Sequence, residues 1–258
     1  MIAAIGRTFR EGVEEVGRAG GFVAESAGAS RDVGTWLPRV TMHARMLGVD
    51  SLPIALFIAL FTGIVLALLA SYSITGAVPL YFVGTLVEKT ITMELAPVLT
   101  GLALAGRVGA NIAAELGTMR VTEQIDALET LAYDPIAFLV VPRLLAALLM
   151  LPILTIIANA TAIVSAWLTL IIATSATTDD YVTGLRLSFA TFQVVYSIIK
   201  AVCFGGAIAI VCSYEGYVAA AGAEGVGRST AKAVVIASTS ILVLDAIVAA
   251  VFAQFIAA

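Results

Sequence analysis

The sequence predicts an all-α polytopic membrane protein, with an N-terminal interfacial amphipathic helix, about five transmembrane helices and a cytoplasmic helix between the second and third of them. Three observations carry that prediction. Of 258 residues, 60% are hydrophobic and only 12% are charged, about half the charged share of a soluble domain. The charges are unevenly spread: residues 51–87 carry none across 37 positions and residues 144–178 none across 35. A helix rises about 1.5 Å per residue, so roughly 20 apolar residues cross the bilayer core, and each run is long enough. A soluble enzyme of this size cannot hide so much apolar surface in one core. The runs are continuous rather than alternating, which excludes an outer-membrane barrel.

Residues 1–27 open the chain as an amphipathic segment. Ile2, Ile5, Phe9, Val13, Val16 and Val23 recur at helical spacing, and Arg7, Arg10, Glu11, Glu14, Glu15 and Arg18 fill the other face. This suits a helix in the membrane interface, with a helix packed on a partner as the alternative. Charges persist through Arg18, against a cleaved signal peptide. Residues 1–50 read as interfacial helix and elbow, and 51–258 as the transmembrane region of a single domain.

Five spans follow at about 52–74, 86–110, 144–173, 190–214 and 232–256. Gly76 and Pro79 break the first apolar run, and Thr177, Thr178, Asp179 and Asp180 break the second. Arg7, Arg10, Arg18, Arg31, Arg39 and Arg45 precede span one, Arg120 and Arg143 flank the segment before span three, and Arg228 lies between spans four and five. The loops at 75–89 and 174–189 carry only Lys89 and Arg186. This asymmetry predicts a cytoplasmic N-terminus and an outside C-terminus.

Between spans two and three, Thr122 can cap a short helix at about 122–132 with Glu123 in its first turn. Ile125, Leu128, Leu131 and Ala132 give it an apolar stripe, and Glu123, Asp126 and Glu129 an acidic one. Asp134-Pro135 stops it and starts the next helix.

Candidate functional residues are the charges left inside the spans: Glu94, Lys200 and Asp245. Each costs about 2.5–3.5 kcal/mol on insertion scales and needs a reason to be there. Pro97 cannot donate to the carbonyl of Met93, which predicts a kink and open backbone beside Glu94. Lys200 and Asp245 can pair with each other, purely to fix packing, or line a wet cavity with Glu94. Ala105, Gly106, Gly109 and Ala113 predict close helix packing. Arg107 reads as an interfacial anchor or loop partner. Cys203 and Cys212 lie on opposite helix faces and cannot bridge. With the single His43 they offer no zinc site. There is no basic patch with interleaved aromatics for nucleic acid, and no catalytic constellation. Gly222–Ser229 imitates a phosphate-binding loop but lies between two apolar helices, where no α/β domain can hold a nucleotide, and reads as a cytoplasmic turn.

The central third carries a long motif: Glu94-Leu-Ala-Pro-Val-Leu-Thr-Gly-Leu-Ala-Leu-Ala-Gly-Arg-Val-Gly-Ala-Asn-Ile-Ala-Ala-Glu-Leu-Gly-Thr-Met-Arg120, then Val-Thr-Glu-Gln-Ile-Asp-Ala-Leu-Glu129, Asp134-Pro135 and Val140-Val-Pro-Arg143. It closely resembles the MlaE/YrbE permease family of ABC-type lipid transporters. The resemblance implies a homodimeric permease in a bacterial inner membrane, bound to a cytoplasmic ATPase and to an MCE-domain protein on the outer side. The substrate would be phospholipid or a related lipid. ATP and Mg would belong to the ATPase, leaving this chain without cofactor or enzymatic site. The family's sensitive Glu, Lys and Asp match Glu94, Lys200 and Asp245, and its coupling helix matches 122–132, with Glu123, Asp126 and Glu129 facing the ATPase. Two departures stand out: Met93 replaces an Arg found in some members, and Ala96 replaces a common Gly. Leu56, Leu60, Ile64 and Leu68 of span one are expected to hold acyl chains beside Glu94 and Pro97. The rival readings are a sterol or fatty-acid transporter on the same fold, and a non-transporting scaffold for the MCE protein.

Overall fold

The computed structural model describes residues 17–73, 79, 81–174 and 176–256, which form helices and connections with no strand. In chain order the helices are α1 (17–29), α2 (Val33–Gly48), α3 (Leu52–Ser73), α4 (Tyr81–Val121), α5 (Gln124–Thr130), α6 (Ile136–Ala173), α7 (Thr178–Ser188), α8 (Thr191–Tyr217) and α9 (Gly222–Ile256). Among the described residues, five helical runs are long and apolar enough to cross a membrane: α2–α3 together, α4, α6, α8 and α9. The five spans read from sequence match these runs, two of them overrunning by one residue at an end.

Small residues set the packing. The inward seam of α3 is Ala55, Ala59, Gly63, Ala67 and Ala70, laid against Ala158, Ala162 and Ala166 of α6. A Cβ on Gly63 would collide with the Ser165 side chain and the Ala162 carbonyl. Without a hydrophobic driving force between helices in lipid, such close backbone approach supplies the van der Waals energy of association. Buried α8 residues Phe204, Ile208 and Cys212 share a core with Leu104 and Leu116 of α4, Leu151 of α6 and Ile241 of α9. The predicted small-residue row on α4 packs at three of its four positions, Ala105 and Ala113 being fully buried. A Cβ on Gly109 would sit 2.7 Å from Cys212 Sγ, whereas Gly106 meets open space. Cys203 and Cys212 are both free.

Several expectations change. The interfacial segment lies largely outside the described residues. Its described end, α1, buries Phe22 rather than Val23, and the Phe22 ring packs 5.5 Å from Tyr214 and 5.7 Å from Tyr217 of α8. At the expected elbow α2 passes into α3 through a single 3-10 turn, Val49–Ser51. The expected loop at 174–189 contains α7. The Thr177 hydroxyl accepts from the Asp180 amide and the Asp180 carboxylate accepts from the Thr177 amide, a reciprocal cap. The Thr177 hydroxyl also donates to the Asp180 carboxylate at 2.6 Å, and this bond, with the one from the Thr177 amide, holds the Asp180 carboxyl below the usual carboxylate range. α7 crosses the start of α4 where glycine meets glycine: a Cβ on Gly84 would lie 3.3 Å from Gly184 Cα. Buried Tyr181 of α7 donates to the Ile163 carbonyl at 3.0 Å, and burial, with Glu88 nearby, pushes its phenol pKa up. Finally, Gly222–Ser229 is not a turn. It forms the first two turns of α9, opening at Gly222 with φ +86°.

Candidate functional site

The three intramembrane charges meet at one point. Lys200 of α8 is 0% exposed, and its Nζ lies 2.7 Å from Glu94 Oε2 of α4 and 2.7 Å from Asp245 Oδ1 of α9. Lys200 and Asp245 therefore do pair, and Glu94 joins them on the same ammonium. The Nζ also donates to the Met93 carbonyl at 3.2 Å. An ammonium has three N–H groups, and three oxygens surround this one. The Tyr196 ring lies 4.6 Å away, placing the cation over an aromatic face.

Local sequence explains why the Met93 carbonyl is free. Pro97 supplies no amide hydrogen, so the ordinary i→i−4 bond to residue 93 is missing. The helix accommodates this with a π-helical segment at Ile91–Leu95, immediately before the Pro97 turn. Such bulges concentrate at functional sites. The predicted kink is thus a π-bulge, and the carbonyl it opens is occupied by the lysine.

The cluster is asymmetric. Two carboxylates face one ammonium, and the side chain of Glu94 is 45% exposed against 22% for Asp245. One carboxylate therefore faces outward from the chain while the lysine is sealed inside. The cluster can hold a polar group at the depth of an apolar span.

Other expected site residues lie apart from it. The α3 residues facing α4 are Ile58 and Thr62, which border a narrow crevice with Ile91, Leu95 and Leu99. Leu56, Leu60, Ile64 and Leu68 run along the adjacent stripe of α3, half-buried or exposed. At the other end, α5 is shorter than expected. Thr122 does not cap it: its hydroxyl donates back to the Thr118 carbonyl and it closes α4. Glu123 takes the N-cap place in the left-handed region, φ 59°. Ile125 is fully buried, but Leu131 and Ala132 are exposed beyond the helix end. Asp126 is engaged by Arg120 at 2.6 Å, leaving Glu123 and Glu129 as the open acids. Asp134 caps the next helix as predicted, accepting from the Ile136 amide at 2.9 Å.

Sequence reasoning missed a second ionic centre. Arg143 at the start of α6 is 5% exposed; it pairs with Glu115 of α4 at 3.1 Å and donates to the Leu139 carbonyl. From sequence Arg143 was read as a flanking charge and as the end of the Val140–Arg143 motif, and Glu115 as part of the longer motif, with no sign that the two meet. Glu88 was also missed; it is 2% exposed, beside α7. No cluster of potential metal ligands occurs among the described residues.

Comparison with known proteins agrees with this architecture. A family profile described as Permease MlaE matches residues 40–251. A probable ABC transporter permease protein of Rickettsia prowazekii is 39% identical over 217 residues, 84% of each chain. The intermembrane phospholipid transport system permease protein MlaE of Haemophilus influenzae is 30% identical over 252 residues, 97% of each chain. The chloroplastic protein trigalactosyldiacylglycerol 1 of Arabidopsis thaliana is 35% identical over 181 residues, 67% of this chain and 49% of its own. With its five membrane-crossing helical runs and a family match over most of its length, the chain belongs to the MlaE permease family.

Proposed function

We propose that the chain is the permease of an ATP-driven transporter that moves phospholipid, or a related lipid, between the inner membrane and the outer envelope. In this reading two copies enclose a cavity between α3, α4 and α9, open to the outer side. Leu56, Leu60, Ile64 and Leu68 hold acyl chains, and Glu94 contacts the polar part of the lipid. An MCE-domain protein continues the path outside, and a cytoplasmic ATPase binds ATP and Mg and supplies the work. The single observation that carries the reading is the half-open carboxylate of Glu94, fixed by a sealed lysine at a π-bulge inside an apolar helix. A cluster that only fixed packing would have every member sealed, because an exposed charge at that depth is costly.

Coupling runs through α5. Ile125 roots it in the core and Asp126 ties it to Arg120, so a push on its exposed face moves the end of α4. α4 is the same helix that carries Glu94, so force at one end reaches the site along a single rod.

Lipid transfer between vesicles by the reconstituted permease, ATPase and MCE protein tests this. Glu94→Gln should lower transfer by tenfold or more with the complex intact. Unchanged transfer overturns the role of Glu94, and transfer that does not need ATP favours the scaffold. Transfer of sterol or fatty acid in place of phospholipid redirects the substrate.

A further inference from the structure

We infer that a second lipid site exists at the α5 end of the bundle, taking the phosphate and amine of a zwitterionic phospholipid headgroup. It rests on the permease reading above and is separate from the Glu94 cluster. Arg107 stands 13 residues further along α4, about 20 Å at helical rise.

A cavity of about 260 Å³ opens there between α2, α4 and the start of α6. α2 contributes His43 and, just beyond its end, Asp50. α4 contributes Arg107, Asn111 and Glu115, and α6 contributes Arg143. Much of this polarity is already spent. Glu115 accepts from Arg143 with one oxygen and from Asn111 with the other. Several groups remain unspent, the buried Ser51 Oγ among them. The buried Arg143 Nε has no hydrogen-bond partner. Arg107 and Asp50 are both exposed and lie beyond ion-pairing distance of each other and of every other described charge. An Arg and an Asp lining one cavity without meeting leave a gap that a ligand carrying both opposite charges can bridge. A planar guanidinium suits a phosphodiester, and a carboxylate suits an ammonium.

Placement supports a lipid as the source. α3 is apolar from Leu52 onward, so Asp50 and Ser51 mark the depth where the apolar segment begins and headgroups reside. Arg107 sits in a second π-helical segment of α4, Ala105–Gly109, so each bulge of that helix carries one charged side chain. In this proposal Arg107, expected from the sequence as an interfacial anchor or loop partner, is a ligand residue as well.

The test replaces Met46, which lines the cavity, with a benzophenone amino acid in the full chain. The protein is then reconstituted in vesicles containing phosphatidylethanolamine or phosphatidylglycerol labelled in the phosphate. Phosphatidylethanolamine should label the chain more strongly than phosphatidylglycerol. Arg107→Gln should cut that labelling about tenfold, the scale of one charge-assisted contact, and Arg107→Lys should retain part of it. Asp50→Asn should erase the preference between the two lipids. Glu94→Gln should leave labelling unchanged, so loss of transport and loss of this site are read separately. Labelling indifferent to Arg107→Gln overturns the site. Inorganic phosphate that competes as well as lipid makes it a free-anion site, and equal labelling by both lipids in the wild type removes the amine contact.

Discussion

Two ionic sites in this chain have nearly the same pair distances and opposite meaning. Lys200 meets Glu94 and Asp245 at 2.7 Å, and Arg120 meets Asp126 at 2.6 Å. Lys200 is 0% exposed and lies inside α8, whereas the side chains of Arg120 and Asp126 are 40% and 54% exposed. Distance therefore says little about consequence. An exposed pair trades water for a partner at almost equal value, about 0–1 kcal/mol. A sealed one has no water to return to, so removing a partner strands a charge at several kcal/mol.

Lys200→Met gives the largest expected effect. It leaves Glu94 and Asp245 uncompensated and frees the Met93 carbonyl. Loss of stability should be about 3 kcal/mol, at the lower end for a buried pair because Glu94 is half open. Thermal unfolding in detergent measures it. The combined variant Glu94→Gln, Lys200→Met, Asp245→Asn should recover most of that stability, since no charge is stranded. If it folds well and transfers no lipid, the cluster is functional; if it folds well and transfers normally, the cluster only fixes packing.

Gly63→Val comes next and probes a seam without charge. The added carbons must displace Ser165 and the Ala162 carbonyl, costing about 1–3 kcal/mol as overpacking. A stability loss smaller than that of Lys200→Met, with lipid transfer per folded molecule unchanged, separates packing from site.

A smaller effect belongs to the cap of α7. Thr177→Ala removes one half of the reciprocal cap and should cost about 1 kcal/mol of local stability, seen as faster amide exchange across 178–188. Asp180 adds a pH dependence whose sign is fixed. Its folded pKa is lowered by Thr177, so its stabilising contribution is present above the unfolded carboxylate pKa and is lost as pH falls through the folded value. Protection of the α7 amides, taken relative to the intrinsic exchange rate at each pH, should fall on acidification, and Asp180→Asn should flatten that response.

What the sequence revealed divides along similar physical lines. Spans were readable because lipid demands long apolar runs, and Glu94, Lys200 and Asp245 because a charge inside such a run is conspicuous. Their meeting was not readable, since it depends on how α4, α8 and α9 pack, although Pro97 did point to the open Met93 carbonyl. α7 was missed because a span-finding eye passes over an 11-residue amphipathic helix, even though Thr177 and Asp180 spell its cap. The Arg143–Glu115 pair was missed because each residue sits near the end of a helix, where charge attracts no notice. Thr122 misled because a hydroxyl before an acidic turn fits a cap equally well as a residue bonding back to its own helix. Val23 misled because a one-residue error in phase moves a helix face by about 100°, enough to exchange it for Phe22.

The smallest effect on stability completes the comparison and bears most directly on coupling. Asp126→Asn breaks only the exposed pair with Arg120, so unfolding should shift by less than about 1 kcal/mol. Arg120 keeps a second contact, 5.9 Å from the Tyr217 ring, and Ile125 keeps α5 rooted. If α5 transmits force as a rigid element, loosening this tie should uncouple ATP hydrolysis from lipid transfer while the ATPase still binds. Glu129→Lys, by contrast, alters an open acid and should weaken ATPase association without touching the fold. Measuring hydrolysis, transfer and co-purification for both variants distinguishes the tie from the docking face. Equal behaviour of the two would mean that the paired and the unpaired acid of α5 do the same job, which the tie of Asp126 to Arg120 argues against.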